Sequence, residues 1–151
     1  MKIYLGSDHG GFKLKEEFKN YLLNKHPEFE LEDCGAFTYE AEDDYPKFAF
    51  EVALKTATNQ ELGVLLCRSG SGVVIAANKV KGIRAVELYD DRIAAHSKSH
   101  NQANVIAFSG DYLSLEKMIE LFEIFLKTGV DKSERHQRRI AQITNYENTN
   151  N

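Results

Sequence analysis

Short apolar runs alternate with amphipathic stretches along all 151 residues. That alternation is the signature of βα units around a parallel sheet. The first run, residues 2–5, carries Ile3 and Leu5 and stops at the small and polar residues 6–11. Leu14, Phe18, Tyr21 and Leu22 then recur at helical spacing. Residues 29–34 predict a weaker strand, ended by Gly35. Asp44 is placed to cap a helix with Pro46 in its first turn, which runs to about Thr56 and buries Phe48 and Val52. The run 62–67 is almost continuously apolar, which fits a strand covered on both faces. Residues 68–72 follow it as a turn, and a helix is predicted over 73–79. Next come a strand over 83–88, an Asp90-capped helix through about His100 and a strand over 104–108. Leu115, Met118, Ile119, Phe122, Phe125 and Leu126 form one helical stripe, and a last helix is expected over 133–146. The predicted fold class is α/β, a doubly wound parallel sheet of about five strands with helices on both faces. It forms a single domain over residues 1–147, with a frayed tail at 148–151.

Composition narrows the class. Hydrophobic residues make up 42% and charged residues 28%, an ordinary globular balance. The net charge of -4 argues against a broad nucleic-acid-binding face, so any bound anion needs a local cluster of positive groups. The apolar runs are too short to span a bilayer, and the first ten residues do not form a signal peptide. Cys34 and Cys67 are too few for a disulfide scaffold and have no paired zinc spacing, which suits reduced thiols in a cytoplasmic protein.

In doubly wound sheets ligands bind beyond the carboxyl ends of the strands, here the loops 7–11, 67–72, 89–91 and 109–111. Cys67-Arg68-Ser69-Gly70-Ser71-Gly72 joins a strand to a helix. Its glycines permit a tight fold around a ligand, and the N–H groups at the helix start attract negative charge. A thiol there is expected to shift toward thiolate, with Arg68 pushing the same way. The same segment also suits a plain turn with a buried cysteine. It matches neither a dinucleotide fingerprint nor a Walker A loop. Asp8 and His9 follow the first strand as an acid beside an imidazole; alone they read as a capping Asp and an exposed His. His100 and Asn101 end a helix, where an imidazole and an amide can move protons and orient hydroxyls. His96 lies one turn earlier, but no carboxylate or Cys at a fitting spacing completes a metal site, and His96 is expected to be solvated. Arg135 and Arg139 share a helix face, which suits one phosphate but also suits a solvated basic face.

Taken in order, these residues resemble the type B ribose-5-phosphate isomerases, within the wider sugar-phosphate isomerase group that includes galactose-6-phosphate isomerase. The resemblance runs from Ser7-Asp8-His9-Gly10-Gly11 to Arg135-His136-Gln137-x-Arg139. Between lie Asp44-Tyr45-Pro46, Ser69-Gly70-Ser71-Gly72, Ile75-Ala76-Ala77-Asn78-Lys79, Gly82-Ile83-Arg84-Ala85, His100-Asn101 and Asn104-Val105. It implies a Rossmann-like fold and interconversion of ribose 5-phosphate and ribulose 5-phosphate through an enediolate, in the pentose phosphate pathway, with no metal or organic cofactor. On the matching positions, Cys67 resembles the base that moves the proton, and Ser69 sits near the reacting carbons. The backbone of Ser69, Gly70, Ser71 and Gly72 resembles an anion hole, and His100 with Asp8 would open the sugar ring. His9, Arg135 and Arg139 would bind phosphate, and Tyr45 and Asn101 would contact the sugar or the enediolate. The resemblance further implies a homodimer or homotetramer whose sites are shared between subunits.

Two positions depart from the family's usual pattern. Arg68 stands where Gly is common, and Asp111 stands where Arg is common after the last strand. Arg68 is expected to replace part of the positive charge lost at Asp111. Some members use a Glu as base in the anion loop, but the matching residue here is Val73. Other readings are the same chemistry on a six-carbon sugar phosphate (allose or galactose 6-phosphate), a non-catalytic sugar-phosphate-binding protein, and a metal-dependent hydrolase built on Asp8, His9, His96 and His100.

Overall fold

The structure is a computed structural model, and it describes residues 1–150. Strands and helices alternate as β1 (Lys2–Ser7), α1 (Phe12–Lys25), β2 (Glu30–Asp33), α2 (Tyr45–Asn59), β3 (Leu62–Cys67) and α3 (Ser71–Ala77). They continue as β4 (Ala85–Glu87), α4 (Asp91–Ser99), β5 (Val105–Ser109), α5 (Leu115–Lys127) and α6 (Glu134–Asn150). All strands pair in parallel, in the order β2-β1-β3-β5-β4. The doubly wound α/β sheet read from the sequence is therefore present. The chain steps from β1 outward to β2, then returns to place β3 on the other side of β1. The loops after β1 and β3 thus diverge at the topological switch point, where such sheets bind ligands.

Side chains alternate across the sheet, so each strand feeds two cores. Ile3, Leu5, Val64, Leu66, Ile106 and Phe108 face α1 and α5 and pack with Leu14, Phe18, Leu22, Phe122 and Phe125. Tyr4, Leu65, Cys67, Val105 and Ala107 face α2 and α3 and pack with Ala49, Val52, Ala53, Val73 and Ala77. This double burial explains the uninterrupted apolar run of β3.

The structure differs from the sequence reading in detail. Helix α3 starts at Ser71, and β4 is only three residues long. The Ile83 N–H is spent on the Val80 carbonyl in a turn, and Arg84 N–H on the Asn104 side chain. Phe48 is only half-buried, because the small side chains of Ala49 and Ala53 form the inward face of α2 beside Val52. Asp44 occupies the N-cap position of α2, but its side chain accepts no capping bond. Asp90 does cap α4, accepting from Ile93 N–H at 2.8 Å. Helix α6 runs through Asn150; of the tail expected at 148–151, Asn151 lies outside the described residues. Among the described residues no helix is long and apolar enough to cross a membrane.

The direction of α4 decides which end of the sheet receives His100 and Asn101. It begins just after β4, near the carboxyl ends of the strands, and returns toward their amino ends. There Arg84 Nε donates to the carbonyls of Asn101 and Gln102, and the Asn104 carbonyl accepts Gly63 N–H ahead of β5.

Phe18 is fully buried and meets the Phe122 ring edge-on at 5.0 Å. Phe18→Ala is expected to cost about 3–5 kcal/mol in urea unfolding. A loss under about 1 kcal/mol would contradict this role of Phe18 in the α1–α5 core.

Candidate active site

The first group of residues gathers at the switch point. Cys67 ends β3 beside Ser109 of β5, only 4% exposed. Its Sγ accepts Gly70 N–H at 3.1 Å. Burial pushes the thiol pKa up, and the Asp8 charge adds to that. Hydrogen bonds from the backbone of Val73, Gly70 and Ser69 pull it down but do not win. The expected shift toward thiolate is therefore reversed in the lone chain, because desolvation outweighs the amides. Arg68 does not push the other way: it is exposed, and its guanidinium lies 3.5 Å from the Asp111 carboxylate. Its charge is thus shared with the very residue whose lost positive charge it was expected to replace.

The turn after Cys67 needs its glycines. Gly70 has φ +86°, and a Cβ there would lie 2.7 Å from the Glu87 carboxyl carbon. A Cβ on Gly72 would lie 2.9 Å from the Tyr45 ring, so the loop rests directly on that ring. Ser69 and Ser71 are exposed, and Ser71 Oγ donates to Glu87 at 3.1 Å. Across the switch point, Asp8 accepts Gly11 N–H at 3.1 Å. Burial raises the Asp8 carboxyl pKa, and the neighbouring Asp43 charge adds to it. The capping role open to Asp8 in the sequence is thus real, but the residue is buried at the ligand edge. Asp43, missed in the sequence, binds His9 through both the backbone N–H and Nδ1.

The second group lies at the opposite end of the sheet. The His96, His100 and His136 rings form a stack with both centroid spacings 4.2 Å. His96 is therefore half-buried in a stack rather than solvated, because α4 turns it onto the His100 ring. His136 is buried, accepts from Arg135 Nε at 3.2 Å and lies 3.5 Å from Asp131. Hydrogen bonds from Ser133 hold the Asp131 carboxyl low, with smaller help from His136 and His100. His100, Asn101, His136 and Arg139 line a cleft of about 540 Å³ beneath α6, whose wall includes Ile140 and Ile143. Arg135 stays exposed beside it.

In one chain the two groups are separated by the length of β3, about 16 Å for its six residues. The structure brings Asp8, His9, Tyr45, Cys67, Ser69, Gly70, Ser71 and Gly72 to one end. It brings His100, Asn101, Arg135 and Arg139 to the other. Two clusters of potential metal-ligating atoms lie within 4.8 Å, His100–Asp131–His136 and Asp8–His9–Asp43. In the first, the His100 and His136 rings are nearly parallel at 8°, so their lone pairs lie in separate planes instead of converging. In the second, His9 Nδ1 is already committed to Asp43 at 2.7 Å.

A family model described as Ribose/Galactose Isomerase matches residues 3–143. The chain belongs to the ribose/galactose isomerase family. A protein of Mycolicibacterium paratuberculosis named ribose-5-phosphate isomerase B is 39% identical over 150 residues, 99% of this chain and 93% of that protein. The crystal structure of ribose-5-phosphate isomerase B from Mycoplasma genitalium, with bound ribulose-5-phosphate, is 40% identical. It superposes with a TM-score of 0.91 over 97% of this chain and 96% of that one. The Clostridium thermocellum ribose-5-phosphate isomerase B superposes at 0.93 over the whole of both chains, at 34% identity.

Because the Cys67 pKa is raised, thiolate is scarcer at neutral pH than for an ordinary thiol. Cys34 is pushed up to about 11, by burial first and then by Glu32. Iodoacetamide at pH 7.5 is expected to label Cys67 at least about tenfold more slowly than free glutathione, read by peptide mass spectrometry. Labelling as fast as glutathione would contradict the burial-dominated balance.

Proposed function

We propose that the chain is an aldose–ketose isomerase that interconverts ribose 5-phosphate and ribulose 5-phosphate through an enediolate. The reaction is a cytoplasmic step of the pentose phosphate pathway and needs neither metal nor organic cofactor. The observation that carries this reading is the Mycoplasma genitalium relative, 40% identical over nearly the whole chain and described with bound ribulose-5-phosphate. The chemistry gathered at the switch point of this chain supports it: a thiol ringed by amides, beside a buried carboxyl.

Cys67, as thiolate, takes the proton from C2 of the open-chain aldose and returns it to C1, while the O2 hydroxyl proton passes to O1. The N–H groups of the Ser69–Gly72 turn hold the charge that develops on the enediolate oxygen. Ser69 stands beside the reacting carbons. Asp8 and His100 open the sugar ring by proton transfer, and Tyr45 and Asn101 contact the sugar. His9, Arg135 and Arg139 grip the phosphate. Burial makes the thiolate costly, and the same amides that would steady the enediolate lower that cost. His100, Asn101, Arg135 and Arg139 come from a second copy of the chain, since in one copy they lie a strand's length from Cys67. A two-fold homodimer completes two equivalent sites in this way, and a homotetramer would pair two such dimers.

Two measurements test the reading. The wild type is expected to give its highest kcat/KM with ribose 5-phosphate against allose 6-phosphate and galactose 6-phosphate, unchanged by EDTA. A higher value for a hexose phosphate, or loss of activity on chelation, would sink it. Cys67→Ala is expected to lower kcat by about 10²–10⁴-fold while keeping substrate affinity, the usual worth of a positioned base. Near-normal turnover in that variant would remove Cys67 from the role.

A further inference from the structure

We infer that Asp43 is a positioning residue for phosphate recognition, accepting from His9 Nδ1–H and so aiming Nε2–H of the protonated ring at the substrate phosphate. This rests on the proposed reading of His9 as a phosphate ligand. Asp43 comes from the loop before α2, far from His9 in sequence, yet its side chain is 1% exposed. One of its oxygens, Oδ1, accepts the His9 backbone N–H at 2.9 Å and lies 2.7 Å from His9 Nδ1. A carboxylate oxygen accepts, so the proton in the second contact sits on Nδ1, and a second proton on Nε2 makes the ring a donor to a phosphate oxygen. Two bonds from one oxygen, to the backbone and the ring of one residue, fix both the loop and the ring orientation. The Tyr39 ring closes one flank edge-on at 6.3 Å.

This leaves Nε2 as the working atom of the imidazole. Among the described residues it has no hydrogen-bond partner. The charged and titratable groups around the ring are Asp8, Asp43 and Tyr39, with the Arg68 stem against the neighbouring Gly10. Stability alone does not account for a carboxylate at Asp43. Its second oxygen, Oδ2, is buried with no partner, which is costly. The same loop leads straight into Tyr45, whose ring supports the anion turn at Gly72. Asp43 therefore ties the phosphate end of the switch point to its enediolate end.

The test compares Asp43→Ala, Asp43→Asn, His9→Ala and the double variant His9→Ala/Asp43→Ala. The readouts are kcat and KM for ribose 5-phosphate, competitive inhibition by inorganic phosphate, and the ¹⁵N NMR signature of each His9 ring nitrogen in the phosphate-bound protein. Asp43→Ala is expected to raise KM and the phosphate Ki about tenfold, the effect of one charge-assisted hydrogen bond, with kcat changed much less. Asp43→Asn keeps an acceptor oxygen, so it should lose less than Asp43→Ala. The double variant should be no weaker than His9→Ala. The phosphate-bound wild-type ring should carry a proton on both nitrogens. An unchanged phosphate Ki in Asp43→Ala, with Ki raised in His9→Ala, would overturn this inference and leave His9 as a phosphate ligand. An unchanged Ki in His9→Ala would remove the underlying reading, and this inference with it. Should Asp43→Ala fail to fold, a phosphate-bound wild-type ring with no proton on Nδ1, or an Asp43→Asn loss as large as that of His9→Ala, would overturn it.

Discussion

Helix α4 leaves β4 at the carboxyl ends of the strands and ends at their amino ends, and this antiparallel return separates His100 from Cys67. A parallel sheet requires such a return, because each strand must re-enter from the same edge. The result is two clusters of candidate site residues on one chain. One is made by strand ends and tight turns, the other by the end of α4 and the start of α6. Each is organised within the single chain. At the switch point, glycines let the turn after Cys67 lie against Tyr45 and Glu87. At the far end, three imidazoles stack and Arg135 Nε donates to His136, and two of those rings line the cleft.

The electrostatics of the first cluster are a contest between burial and amides. Cys67 and Asp8 are both buried at the ends of neighbouring strands, and both are pushed toward their neutral forms. Only the backbone N–H groups oppose this for the thiol. A base in such a place is costly to ionise but strong once ionised, since no water competes for the proton. The Arg68–Asp111 pair lies outside this contest at the exposed rim, where an ion pair of its length contributes little.

Much of the fold was legible because β3 is apolar throughout and the α5 stripe is regular, and periodicity reports those patterns directly. Boundaries at β4 and α3 were not, because the side chain of Asn104 and the tight geometry of Gly70 decide them. Cys67, Asp8, His9 and the Ser69–Gly72 turn were readable as a cluster at strand ends. The direction of the thiol's pKa was not, since it depends on depth of burial. Asp43 was hidden in the acidic stretch Glu40 to Asp44, where nothing local distinguishes one carboxylate from its neighbours. His136 looked like part of a basic run, and only the packing of α6 against α4 brings its ring onto His100.

If a working site takes Cys67 from one copy and His100 from another, two inactive variants should complement each other. Mixing subunits of Cys67→Ala and His100→Ala, after dissociation and reassociation, tests this most directly. Each variant alone is expected to be nearly inactive. In a two-fold dimer the mixed species has one intact site, so random reassociation should restore about a quarter of wild-type activity. No recovery, with exchange of subunits verified, would contradict a shared site.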